Sequence, residues 1–262
     1  MNNKRNSLKI AGIAIAVCSL FMSSTTMAFQ PGSTEDFLGH EVGPTYHTAA
    51  EAVSSNDYLP GPPKNDSAVF EADKAAYQEG YKFKDTARWK QATMDADLHT
   101  TNMAKIFSEP MGITISQETT PTLYKMLGDL LVDSADNATK TAKEAYMRER
   151  PFVFFGNHTC QPVNEEDRLR KNGSYPSGHT SYGWTVALVL AQMAPSHAEA
   201  IIKRGYEFGQ SRMICGAHWQ SDVDAGRIVG AVEYSRLQTL PKFQEDLRKA
   251  TEEVKRQYKS SK

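Results

Sequence analysis

The chain has 262 residues, 40% of them hydrophobic, and a formal net charge of -1. That length supports one globular domain with a sizeable core. The near-neutral balance excludes bulk attraction to nucleic acid or anionic lipid, which require a basic excess.

At the N-terminus, Lys4, Arg5 and Lys9 precede an apolar run from Ile10 to Phe21, and Thr26-Met27-Ala28 places small residues before a cleavage point. Residues 1–28 are expected to be a cleaved secretory signal peptide, since the run is shorter than the roughly 20 residues of a membrane span. An uncleaved anchor is the alternative. Cleavage removes three bases and no acid, which leaves a mildly acidic mature chain. It also removes Cys18, so Cys160 and Cys215 become the only thiols in an oxidising compartment. A Cys160–Cys215 disulfide is expected, with two buried free thiols as the alternative.

Residues 29–65 are rich in Gly, Pro, Ser and Asp, ending in Leu59-Pro60-Gly61-Pro62-Pro63. They are expected to form an irregular or partly disordered arm ahead of a helical domain over 66–262. Val69, Phe70, Tyr77 and Tyr81 predict a first helix, and Trp89, Ala92 and Ala96 a second. Leu123, Met126, Leu127, Leu130 and Leu131 lie on one face behind Thr120 as cap and Pro121 in the first turn. Helical propensity returns over 137–148 and must stop before Pro151. A long polar loop is expected over 152–174.

An apolar helix then follows Pro176-Ser177-Gly178-His179 and ends before Pro195. Ser196 with Glu199 predicts a capping box for the next helix, which carries Ala198, Ile201, Ile202, Gly205 and Tyr206 and breaks at Cys215-Gly216. Another helix starts near Ser221 or Asp222 with Val223, Ile228, Val229 and Val232, and a last one follows Pro241 with Phe243, Leu247 and Val254. No segment alternates with period two, so the fold class is all-α, a compact multi-helix domain around a buried central helix.

Three stretches carry chemistry. Lys143 and Arg150 are two helical turns apart and share a face if their helix persists, although late bases also simply complement a helix dipole. Ser177-Gly178-His179 at a helix start offers backbone N–H groups, a hydroxyl and a glycine that admits a ligand to the backbone, an arrangement suited to an anion. A plain capping turn is the alternative. Arg212, His218 and Asp222 combine a guanidinium clamp, an imidazole able to attack or shuttle a proton, and a carboxylate able to set its tautomer. A His–Asp pair that merely caps a helix would look the same.

Together, Lys143 with Arg150-Pro151, Pro176-Ser177-Gly178-His179, and Ser211-Arg212 with His218 and Asp222 resemble the three-part signature of the phosphatidic-acid phosphatase type 2 and vanadium haloperoxidase superfamily. The signal peptide, the chain length and the run from Lys171 to Ser181 resemble more closely the secreted bacterial class A nonspecific acid phosphatases. The resemblance implies a periplasmic, metal-independent phosphatase of broad specificity toward small phosphomonoesters, without cofactor, often homo-oligomeric. It implies His218 as the nucleophile that forms a phosphohistidine, Asp222 as its orienter and His179 as the acid and base. Lys143, Arg150, Arg212, Ser177 and Gly178 would hold the phosphoryl oxygens.

The residues agree in showing no cluster with metal-ligand spacing and no membrane span in the mature chain. A general acid must be protonated, so an optimum around pH 5 to 6.5 is expected. A phosphohistidine intermediate would also allow transfer to alcohols. The alternatives are an apyrase-like hydrolase of nucleotide pyrophosphate bonds, a haloperoxidase, and, from another class, an anion-binding protein without turnover.

Overall fold

The computed structural model describes residues 45–260. The expected signal peptide over 1–28 and the first part of the arm, 29–44, lie outside the described residues. Every regular element among those described is helical: α1 (Ala68–Tyr81), α2 (Ala87–Met94), α3 (Thr100–Met111), α4 (Pro121–Leu131), α5 (Lys140–Tyr146), α6 (Pro151–Phe154), α7 (Val163–Leu169), α8 (Gly178–Met193), α9 (Ala198–Ile214), α10 (Gln220–Leu237) and α11 (Pro241–Ser260). The fold is all-α.

The centre is α8, which packs against α9, α10, α4 and α11. Its sequence is apolar on nearly every side, and Tyr182, Val186, Ala187, Val189 and Leu190 are all buried. Small residues let the neighbours close in. A Cβ on Gly226 of α10 would lie 2.6 Å from the Ser177 carbonyl oxygen, and one on Gly230 would lie 2.6 Å from that of Ser181. Thr185 uses the same proximity, its Oγ1 donating to the carbonyl of Gly230 at 3.1 Å. The C-terminal α11 buries Phe243, Leu247, Ala250 and Val254 in the main core, alongside Leu123, Met126, Leu127 and Leu130 of α4.

Several elements differ from expectation for local reasons. The helix that begins at α4 does not stop at Leu131; it widens into a π-helical stretch, Val132–Asn137, before α5. The helix expected over 137–148 is shorter, since α5 ends at Tyr146 and Met147 takes φ 40°. The expected polar loop over 152–174 contains α6 and α7, which Pro151 and Pro162 initiate at their first-turn and cap positions. No element was expected for α3, whose Met103, Phe107 and Met111 recur every four residues and are fully buried. The capping box at Ser196 does not form; the Ser196 hydroxyl lies 3.1 Å from the His197 ring, and a 3-10 turn over Pro195–His197 leads into α9. Val69, Tyr206 and Ile228, expected on inner faces, are about half exposed.

From Thr45 to Asn65 the chain is irregular apart from a 3-10 turn at Ser55–Asp57. It is nonetheless anchored. The buried His47 ring meets Glu233 of α10 at 2.8 Å, and the Tyr46 amide donates to Asp133 at 2.7 Å. Burial pushes the Asp133 carboxyl up to about 7, opposed by the charge of His47. Cys160 and Cys215 form a disulfide that closes a 55-residue separation. A loop of that size is worth roughly 4 kcal/mol in the chain-entropy account.

Candidate active site

The site is built where three chain segments meet. Arg212 lies in the last turn of α9, after which Gly216 takes φ 80° and the chain folds back. The amides of Ala217 and His218 then donate to the carbonyl of Arg212 at 3.2 and 3.3 Å, so the loop sits over the helix end. Trp219 anchors it: the indole is buried against Phe70 at 5.0 Å, and its N–H donates to the carbonyl of Glu149 at 2.8 Å. Asp222 occupies the first turn of α10, where free amides and the helix dipole favour a carboxylate. Its Oδ2 accepts from the Trp219 amide at 2.9 Å.

Lys143 and Arg150 do come together, though not by sharing a helical face. The chain turns at Met147, and Arg150 becomes the N-cap of α6. Both cations reach one acceptor, the carbonyl of Gly173, with Lys143 Nζ at 2.8 Å and Arg150 Nη2 at 3.4 Å. Arg150 Nε also donates to the carbonyl of Leu169 at 2.9 Å, and Nη1 to that of Ala217 at 3.0 Å. The same Nη1 lies 2.9 Å from His218 Nε2. A guanidinium can only donate, so Nε2 accepts and the ring proton belongs on Nδ1. The Nε2 lone pair of a neutral imidazole therefore faces the basic group.

Nδ1 of His218 faces Asp222 Oδ2 at 3.6 Å and Ser174 Oγ at 3.4 Å. The first distance is too long for a hydrogen bond. The Ser174 hydroxyl donates to Asp222 Oδ2 at 2.5 Å and so stands between the two. Arg148 holds the other carboxylate oxygen at 2.6 Å and is itself paired with Asp73 at 2.8 Å, all three side chains being nearly inaccessible. Sequence reading passed over Arg148, Ser174 and Asp73. Arg148 lies inside the interval between Lys143 and Arg150 with no spacing of its own, and Asp73 arrives from α1.

At the start of α8, the Ser177 oxygen accepts from the Thr180 amide at 3.2 Å and the Thr180 hydroxyl at 2.9 Å, which is a cap. The Ser177 amide donates to the carbonyl of Asp222 at 3.0 Å, joining the N-termini of α8 and α10. Gly178 is required by packing: a Cβ there would sit 2.7 Å from the carbonyl oxygen of Ala135 in the π-helical stretch. The side-chain space that sequence reading reserved for a ligand is filled by backbone. His179 is buried, with Nε2 3.1 Å from the carbonyl of Ala96.

Arg212 is fully buried, and only its Nη2 has a partner, Gln161 Oε1 at 2.6 Å. Among the described residues, its Nε and Nη1 have none. Buried guanidinium nitrogens without acceptors are costly, and an oxyanion would satisfy both. The electrostatics agree. Burial, then the charge of Arg150, brings Lys143 down to about 7 and Arg212 down to about 9. Burial brings Arg150 down to about 10. His218 is held well below the ordinary imidazole range by burial first, then by Arg150, Lys143 and Arg212.

An anion in this cradle raises each of these values, because opposite charge favours the protonated form. Sulfate, which does not titrate near neutrality, should therefore bind with net proton uptake at pH 7. Its affinity should level off below about pH 6 and fall up to about tenfold per unit as pH rises through the Lys143 value near 7. Calorimetry in two buffers of different ionisation enthalpy measures this, and proton release at pH 7 would contradict it.

Among the described residues, no group of three or more His, Cys, Asp or Glu could hold a metal ion, and no helix is long and apolar enough to cross a membrane. Residues 123–234 match the PAP2 superfamily, a span that contains every site residue named above except Phe70, Asp73 and Ala96. The chain is 51% identical over 226 residues to a non-specific acid phosphatase of Salmonella typhimurium, covering 86% of this chain and 90% of the relative. It is 54% identical over 209 residues to one of Salmonella typhi, covering 80% and 83%. It is 43% identical over 241 residues to one of Providencia stuartii, covering 92% and 96%. Identity at that level over most of both chains, with the matched region enclosing the basic cradle and His218, places this protein in the PAP2 superfamily among the non-specific acid phosphatases.

Proposed function

We propose that this acid phosphatase hydrolyses small phosphomonoesters through a phosphohistidine on His218. The observation that carries the reading is Arg212: a fully buried guanidinium with two unpartnered nitrogens, beside two further cations and a neutral imidazole. Lys143, Arg150 and Arg212 take the three non-bridging oxygens, where charge stabilisation does most of the work of phosphoryl transfer.

His218 Nε2 attacks phosphorus as the ester P–O bond breaks, and the departing oxygen takes a proton from His179. Water then attacks the phosphohistidine, gives a proton back to His179, and releases inorganic phosphate and free His218. Asp222, 3.6 Å from Nδ1, balances the charge that develops on the ring, with Ser174 and Arg148 holding the carboxylate in place. An alcohol in place of water gives phosphotransfer.

Acid operation follows from two opposed requirements met by one set of charges. The depressed His218 remains a neutral nucleophile in mild acid, whereas Lys143, brought down to about 7 by burial, becomes predominantly cationic only as the pH falls below that value. The disulfide and the expected signal peptide favour action in the periplasm.

The test is phosphate release with EDTA present, comparing AMP, p-nitrophenyl phosphate and ATP between pH 4.5 and 8. Comparable turnover of AMP and p-nitrophenyl phosphate, highest below pH 7, is expected. Release from ATP but not from AMP would replace this reading with a nucleotide pyrophosphate hydrolase.

A further inference from the structure

Gln161 belongs to none of the signature segments, yet it makes the one side-chain hydrogen bond that Arg212 has among the described residues, Oε1 to Nη2 at 2.6 Å. It is brought there by covalent structure. Gln161 follows Cys160, whose disulfide partner Cys215 lies three residues beyond Arg212. The Cys160 amide donates to the carbonyl of Cys215 at 3.0 Å, and the Gln161 amide to the Thr159 hydroxyl at 3.1 Å. The backbone that carries the amide group is thus fixed to the end of α9, which carries the guanidinium.

The chemistry of a guanidinium makes this contact consequential. Its two two-pronged modes, Nη1 with Nη2 and Nε with Nη2, both use Nη2. An amide oxygen on one N–H of Nη2 therefore leaves a single fork for an oxyanion. It also holds the plane of a side chain that would otherwise have to be ordered by the ligand at the ligand's expense.

We infer that Gln161 is a positioning residue that presents one fork of Arg212 to the phosphoryl group, tethered for that purpose by the Cys160–Cys215 disulfide. The inference rests on the phosphoryl-binding reading of Arg212. Gln161 is partly exposed and takes no part in the core, so its replacement leaves the fold intact.

The test is sulfate affinity by calorimetry at pH 5.5 for wild type, Gln161→Ala, Gln161→Met, Arg212→Met and Gln161→Ala/Arg212→Met, with kcat and KM for p-nitrophenyl phosphate beside it. The Gln161 variants should bind sulfate about tenfold to a hundredfold more weakly, the range expected for one hydrogen bond to a charged group. KM should rise in step while kcat holds, and Gln161→Ala should have no further effect once Arg212 is Met. Unchanged or tighter sulfate binding in both Gln161 variants would overturn the inference, as would an equal loss in the Arg212→Met background. If Arg212→Met itself binds sulfate like wild type, the phosphoryl-binding reading falls instead.

Discussion

His218→Ala should lose at least about 10⁴-fold in kcat, with no phosphate trapped on the protein by alkaline quench. Removing the nucleophile of a well-studied hydrolase costs about 10⁶-fold, and the residual rate comes from the charge stabilisation that remains. Here the cradle of Lys143, Arg150 and Arg212 stays in place. Arg150 keeps its bonds to the carbonyls of Leu169 and Ala217, so losing the imidazole leaves it anchored. Wild-type enzyme mixed with radiolabelled substrate and quenched in alkaline detergent should carry label that is stable in base and lost on later acidification, as expected of a phosphorus–nitrogen bond. A His218→Ala protein that turned over within tenfold of wild type would end the assignment. So would equal label on both proteins.

Arg212→Met should cost about 10³-fold in kcat/KM, since removing a single oxyanion donor already costs roughly 10²- to 10³-fold. Arg212→Lys should recover little, because an ammonium supplies charge without the fork. Stability should move the opposite way. Arg212 is a fully buried cation held down to about 9 by burial and by Arg150, a state that costs stability in the free protein. Arg212→Met should therefore melt at or above the wild-type temperature in anion-free buffer. Sulfate at 100 times its Kd should raise wild-type stability by about 2.7 kcal/mol and leave the variant nearly unmoved. A variant that melted lower without ligand, and was still stabilised by sulfate, would show a structural arginine rather than a binding one.

How much of this site was legible depends on where each signal resides. Lys143, Arg150, Arg212, His218 and Asp222 carry residue types and intervals that, through the family signature they resemble, mark them as candidates before any fold is known. Cys160 and Cys215 could be paired by elimination once export was inferred. The α8 start was legible because Ser-Gly before an apolar run is a local capping pattern, and local patterns survive in sequence.

Other features have no local signal. Asp73 reaches Ser221 and Arg148 only because α1 packs beside α10. Gln161 reaches Arg212 only because a disulfide ties the two segments. Ser174 looks like any polar loop residue until its hydroxyl is seen between His218 and Asp222.

Three of the residues singled out are placed by a cause other than the one expected. Gly178 was expected to admit a ligand, and what it admits is the Ala135 carbonyl. Lys143 and Arg150 were expected to share a helical face, yet α5 ends between them and they meet through the Gly173 carbonyl. Periodicity and capping act over a few residues, so most of the helices, though not α3, α6 or α7, and the candidate reactive groups could be written down from the chain alone. Distances between those groups, the depth to which their charges are buried, and the partners that orient them arise from contacts between segments far apart in the chain, and these were settled by how α8, α9 and α10 pack.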